Sequence, residues 1–319
     1  MKQLKKYYTL LLIALCINVY AIAQTDQDGL MMNKNLFCTG LIYNASNWNK
    51  YWEGTNFREN LNLGTVSSNS IQFMGNFGLK DNLNLLFSAP YISNKISAGT
   101  LNSINGLQDF STWIKWMPVE KEINNGILSV YLLGGASLPM SNYIVDYLPV
   151  SIGLKSSSIS GRFMMDYQLG NFTITASETY TVRSNTRLER NSYFTTRSIL
   201  SNEVEMPNVN MLSLRTGYRS NWLIAEAIIT DIKTLGGFDI TRNNMPFPSN
   251  RMNATTIAAN FKYEIQKVPG LSVVAGASRV IKGRNMVQST GFYSGLFYIL
   301  NFQKKEKNNQ MTNASTEKN

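Results

Sequence analysis

Apolar and polar residues alternate one by one along most of this chain. Leu83, Leu85, Phe87, Ala89 and Tyr91 are interleaved with Asn84 and Ser88. Phe110, Thr112, Ile114 and Trp116 are interleaved with Asp109, Ser111 and Lys115. The same period of two runs through Phe163–Leu169, Leu212–Tyr218 and Ile257–Tyr263. Successive side chains of a strand point to opposite faces, so each such segment has one apolar and one polar side. The pattern predicts twelve strands, at 36–44, 69–77, 83–91, 109–117, 127–137, 159–169, 172–183, 210–219, 222–231, 254–264, 271–281 and 291–302. Most come close to the ~9–11 residues of a tilted strand that crosses a bilayer.

The connections carry separate information. Long ones fall at 45–68, 92–108, 138–158, 184–209, 232–253 and 282–290. Short ones fall at 78–82, 118–126, 170–171, 220–221 and 265–270. Gly170-Asn171 and Ser220-Asn221 read as tight hairpin turns, and Lys80-Asp81-Asn82 as another turn. Alternation of long and short is what a membrane barrel shows, with outer loops long and periplasmic turns short. A soluble sandwich has no reason to keep it over twelve strands. The expected fold class is therefore all-β, an antiparallel transmembrane β-barrel of about 12 strands, in contact with outer-membrane lipid and both ends in the periplasm. Tyr91, Trp116, Tyr218 and Trp222 stand near strand ends, where aromatic girdles form. Glu178 breaks the pattern: it shares its parity with Phe172, Ile174, Ala176, Tyr180 and Val182 and so faces lipid on strict alternation. The reading is a β-bulge that shifts the register there, or else a position beyond the apolar band.

The two ends differ from the middle. Lys2, Lys5 and Lys6 precede an apolar run from Tyr7 to Tyr20, followed by Ala21-Ile22-Ala23. This is the order of a cleavable signal peptide, 1–23, with the barrel occupying 24–302. The final strand places Phe292, Leu296, Tyr298, Leu300 and Phe302 on one face. That face resembles the signal by which barrel-assembly machinery recognises its clients. Residues 303–319 are polar, with Lys304, Lys305 and Lys307, and are expected to form a disordered periplasmic tail.

Composition narrows the function classes. Histidine is absent, which removes every mechanism that needs an imidazole base or ligand. No phosphate-binding loop, metal-spaced cluster or serine elbow is present, so the expectation is no enzyme, no catalytic residue, no metal and no cofactor. Once Cys16 leaves with the signal, Cys38 is a single cysteine, read as a small apolar wall residue. The net charge of +10 falls to +7 without the three signal lysines. The basic residues are spread along the chain and follow no nucleic-acid motif, so nucleic acid is not an expected partner.

Two segments carry a family resemblance. Residues 77–91 read Phe-Gly-Leu-Lys-Asp-Asn-Leu-Asn-Leu-Leu-Phe-Ser-Ala-Pro-Tyr, and residues 106–116 read Gly-Leu-Gln-Asp-Phe-Ser-Thr-Trp-Ile-Lys-Trp. Together with Leu138-Pro139 they resemble the outer-membrane β-barrel family of the meta-pathway of phenol degradation, of MetA-like type. The likeness is closest over roughly 70–170. It implies an outer-membrane barrel that passes small, often hydrophobic or aromatic, compounds, broadly similar to long-chain fatty-acid transporters. Only about a dozen residues separate Gln24 from the first strand, and no N-terminal plug is expected from them. A fainter likeness points to barrel subunits of secretion systems of gliding bacteria.

The inward faces are the candidate site. They present Lys115, Arg162, Asp166, Arg183, Arg215, Arg219, Glu226, Lys262 and Glu264, with six cations against three anions. Either opposite charges pair across a narrow lumen and fill it, or they line a wet pore that modestly favours anions. Two functions stay open: a passive channel or transporter for small solutes, and a structural or partner-binding barrel with a closed lumen. In the second, the outer loops carry the function, with Trp48, Tyr51, Trp52 and Phe57 in the first of them either gripping a ligand or folding into the barrel mouth.

Overall fold

The computed structural model describes residues 25–240 and 246–303. Twelve long antiparallel strands make one sheet. They are β1 (Leu36–Trp48), β2 (Val66–Lys80), β3 (Leu83–Ile96), β4 (Asp109–Ile123), β5 (Gly126–Pro139) and β6 (Ser158–Leu169), then β7 (Phe172–Arg183), β8 (Val209–Arg219), β9 (Leu223–Thr234), β10 (Asn253–Glu264), β11 (Leu271–Arg284) and β12 (Thr290–Asn301). Each pairs with its neighbours in sequence, and β1 also pairs with β12, which closes the ring. A closed ring leaves no unpaired edge, as a sheet in lipid requires. The signal segment and the tail from residue 304 lie outside the described residues.

All twelve expected strands are present, and most are longer than expected. β4 runs through Met117-Pro118 to Ile123 because a bulge between Trp116 and Val119 takes up the proline. The expected connection 118–126 shrinks to Asn124-Asn125, both with positive φ, the backbone of a tight hairpin turn. β3 continues past Pro90 because its partner changes there. It pairs with β4 up to Ser88 and with the short strand Ile104–Leu107 from Tyr91 onward. Gly170, with φ +57°, makes the β6–β7 turn.

Most outward positions are apolar: Leu41, Ile71, Ile114, Phe163, Leu212, Ile257 and Leu296 are all exposed on the ring's outer wall. Aromatics cluster at two heights. Trp116, Tyr218, Trp222 and Tyr263 face outward near the short-turn end, with Trp222 and Tyr263 edge to face. Tyr43, Tyr91 and Tyr180 face outward nearer the long-loop end. Each has its hydroxyl bonded to an asparagine: Tyr43 donates to Asn69, Tyr91 donates to Asn105, and Asn208 donates to Tyr180. Rings with an apolar body and a bonded hydroxyl suit the lipid–water boundary.

Glu178 corrects an expectation. No bulge displaces it: β7 pairs without a shift on both sides, Glu178 lying opposite Phe163 and Leu212. It stays exposed on the outer face, one pleat below Tyr180. Asn210 Nδ2 donates to its Oε1 at 2.9 Å, which satisfies part of the carboxylate without any change of register.

The long loops fold onto the rim. Trp52, in the hairpin Lys50–Glu53/Asn56–Glu59, is buried against Ala254 and Val280. Trp48 packs against the Leu63, Val66 and Val150 cluster. These two rings therefore build the barrel mouth. Phe57 remains exposed and contacts Trp52 at 4.9 Å. Asn285 ties three loops together. Its Oδ1 accepts from Gly54 N and Ile240 N, and its Nδ2 donates to Asp239 and to Arg251 O.

Candidate functional site: the lumen and the segment inside it

Residues 25–35 do not hang below the barrel. Residues 33–35 cross the short-turn rim, where Lys34 N donates to Asp81 and Asn35 N to Gly78 O, and the residues before them enter the lumen, held there by side chains of β4, β5, β6 and β8. This overturns the expectation of no N-terminal plug. The segment is too short to form a domain, but an irregular segment needs no fold of its own when a wall supplies partners for its backbone.

Lys115 of β4 is the centre of that wall, with 0% of its surface exposed. Its Nζ donates to Asp28 O at 2.6 Å, Leu30 O at 2.7 Å and Thr25 O at 3.2 Å, and meets Asp28 Oδ1 at 3.3 Å. The ammonium also stands 5.2 Å from the Tyr131 ring centre. Three ammonium hydrogens thus serve three carbonyls, with a carboxylate to balance the charge. Tyr131 of β5 donates its hydroxyl to Gly29 O at 2.9 Å. Arg162 of β6 lies on the Trp113 ring at 4.6 Å and donates Nε to Thr179. Its Nη1 reaches Asp26 O at 2.6 Å and Asp26 Oδ2 at 2.9 Å. Gly29 passes so close to the wall that a Cβ there would lie 2.2 Å from the Asp166 carboxyl. Met32, fully buried, packs with Leu36, Cys38, Val274 and Phe297.

A second set of charges pairs within the wall. Arg219 of β8 binds Asp166 of β6 with two parallel bonds, 2.8 and 3.0 Å, and lies 3.8 Å from Glu226. Thr175, on the strand between them, donates to Asp166 as well. Arg215 donates to Glu226 Oε2 at 2.6 Å. Asn260 donates to that same oxygen and accepts from Tyr293. Removing charges from water is costly, and multiple bonds of this kind are what offset the cost.

The nine residues singled out from the sequence divide into groups. Lys115 and Arg162 hold the segment, while Asp166, Arg215, Arg219 and Glu226 form one wall network. Lys262 and Glu264 are buried near the short-turn end of β10, Lys262 bordering the lumen cavity toward β8–β12 described below. Arg183 stands apart at the long-loop end, half-buried, its Nη1 without a hydrogen-bond partner among the described residues. Sequence reasoning missed Asp26, Asp28, Gly29 and Tyr131. One signal was available: six wall cations against three wall anions require further carboxylates, and Asp26 and Asp28 stand immediately before the first strand.

Two cavities flank the segment. One of about 360 Å³ lies toward β8–β12 and is bordered by Asn44, Gln72, Ile228, Lys262, Tyr293 and residues 25–28. The other, of about 530 Å³, lies beside the Asp81–Asn82 turn and is bordered by Leu30, Glu120, Ser129 and Arg219. The lumen is thus roomy on both sides of a segment that occupies its middle.

A closed antiparallel ring with an apolar outer wall, two aromatic belts and a charged interior is a transmembrane β-barrel of the bacterial outer membrane. Residues 54–212, just under half of the chain, match the family described as "Putative MetA-pathway of phenol degradation", which bears out the resemblance read from the two sequence segments. Among curated proteins, none matches by sequence. The fold is similar to that of the COG4313 outer membrane channel from Pseudomonas putida F1, at 12% identity and a TM-score of 0.67 over 88% of this chain and 100% of that one. The translocator domain of the autotransporter NalP from Neisseria meningitidis matches at 11% identity and a TM-score of 0.45, covering 93% and 97%. A Pseudomonas aeruginosa FadL homologue matches at 11% and 0.39, covering 84% and 91%.

Proposed function

We propose that this barrel is a passive channel or diffusion transporter for small solutes, and that its own N-terminal segment sets whether the lumen conducts. The observation that carries the reading is the segment itself: residues 25–30 are bound mainly through backbone carbonyls by Lys115, Tyr131 and Arg162, between two lumen cavities. A wall built only to stay closed needs no separable piece in its middle. Transport of this kind requires no cofactor and no bond chemistry, in keeping with a chain without histidine. The matched family's name and the channel named in the similar structure support solute passage, and the family's association with phenol degradation favours small aromatic compounds. The cavity wall suits such solutes, since Ile42, Met74, Ile228 and Val274 alternate there with Asn44, Gln72 and Tyr293.

The test is single-channel recording in a planar bilayer, comparing the refolded chain with a variant lacking residues 25–33. A heat-modifiable gel shift first establishes that both fold. Small or infrequent steps in the full chain and large, lasting steps in the shortened one are expected. Silence in both refutes the channel and leaves a closed, partner-binding barrel whose rim loops carry the function.

A further inference from the structure

The outer wall of β8–β11 is not smooth. Thr216, Ala227, Ala259 and Ala277 stand side by side on one rung across four neighbouring strands. The rung toward the long loops carries Leu214, Ile229, Ile257 and Arg279, and the rung toward the short turns carries Tyr218, Ala225, Phe261 and Ala275. Small side chains beneath the row Leu214, Ile229, Ile257 and Arg279, with only Tyr218 and Phe261 standing large on the other side, leave a groove of about 570 Å³ on the face that meets lipid.

The charge at its end is the second observation. Arg279 points outward and is exposed, and it makes no ion pair or hydrogen bond among the described residues. Its cross-strand partner, Thr290, is the first residue of β12. Arg279 lies as far along β11 from the short-turn end as Tyr91 lies along β3 and Tyr180 along β7, which places it at the level of the outer tyrosine belt. Lys282, also exposed, follows it toward the loops. Asp231, on the same rung as Lys282 and within its field, is already paired with Lys233 at 2.9 Å and accepts from Thr255. A bare guanidinium at headgroup level, with an acyl-sized apolar trough beginning beside it, is complementary to an anionic lipid. The phosphate answers the cation and a chain fills the groove.

We propose that this groove is a binding site for a phosphorylated, acylated lipid of the outer leaflet. The phosphate sits on Arg279 and Lys282, and one acyl chain lies along Thr216, Ala227, Ala259 and Ala277. The site is on the outer wall and stands whether or not the lumen conducts.

Native mass spectrometry of the full refolded barrel, titrated with bisphosphorylated lipid A or with dioleoylphosphatidylcholine, tests it. The expected result is one lipid A retained at concentrations where phosphatidylcholine is not. Arg279→Gln and Ala259→Leu should each weaken retention about tenfold, and Arg279→Lys should restore most of it. Ala259→Leu fills the groove without altering charge, and the gel shift confirms that each variant folds. Equal retention of the two lipids, or unchanged retention in either Arg279→Gln or Ala259→Leu, overturns the site. A barrel dimer that Ala259→Leu dissolves overturns it too, because the occupant would then be a second copy.

Discussion

Replacing Lys115 by methionine keeps an unbranched side chain one atom shorter and removes its charge and its donors. In the docked state Asp28 O and Leu30 O then lose bonds of 2.6 and 2.7 Å, and the Asp28 carboxylate loses its cation. Stripping one partner from a buried charge pair costs about 3–5 kcal/mol. The lower end applies, because the segment has an alternative: it can leave the lumen and return its carboxylate and carbonyls to water. A penalty of about 3 kcal/mol on docking moves the docked-to-free ratio by roughly 150-fold. The barrel itself keeps its main-chain bonding, since β4 pairs with β3 and β5 through backbone groups. Two measurements follow: the fraction of time spent in the large conducting state, and amide hydrogen exchange of residues 25–35 by mass spectrometry. Lys115→Met should raise both strongly. A variant that folds, with conductance and exchange equal to those of the parent, would refute the argument that Lys115 holds the segment in place.

Three other outcomes follow from the same geometry. Gly29→Val should release the segment as Lys115→Met does, because its side chain collides with an Asp166 fixed by Arg219 and Thr175, and the same exchange measurement reads it. Arg219→Met should lower the urea midpoint of barrel unfolding by an amount equivalent to about 3 kcal/mol, whereas Arg219→Met combined with Asp166→Leu should recover much of the loss, since no bare carboxylate remains; a double variant no better than the single one would show that the pair is not the cause. The Arg284 guanidinium, helped by Asn285, holds the Asp239 carboxyl at about 2, well below its usual value. Because the folded value is depressed, its contribution to fastening the 235–252 loop is complete above about pH 4 and is lost as pH falls through about 2; limited pepsin digestion should nick that loop progressively across this window, and Asp239→Asn should be insensitive to it.

The strands were legible because period-two alternation is a local property. Whether Phe163 and Met165 face lipid is decided by their spacing alone. The same locality explains where the reading stopped. Met117-Pro118 looks like a strand end, and only pairing with β5 shows that a bulge absorbs it. At Glu178 alternation suggests a bulge or a place beyond the apolar band because it is blind to cross-strand neighbours, and Asn210, far away in sequence, is what accommodates the carboxylate. The candidate wall residues could be named from parity, but their partners could not. Lys115 meets Asp28 and Arg162 meets Asp26 only because the ring brings the first described residues against its fourth and sixth strands. A short, irregular, unpatterned segment carries no period by which to announce that it folds inward.

The ring has one seam whose two sides lie far apart in sequence, where β1 meets β12. The segment that supplies counter-charges to Lys115 and Arg162 comes immediately before β1. Closing this sheet brings together the chain's most distant strands, and contacts of that kind form slowly. The cations of β4 and β6 would become buried without partners if closure came first. Placing their carboxylates next to the seam strand couples the two events, so that the strand that completes the wall also delivers the anions that make its interior affordable.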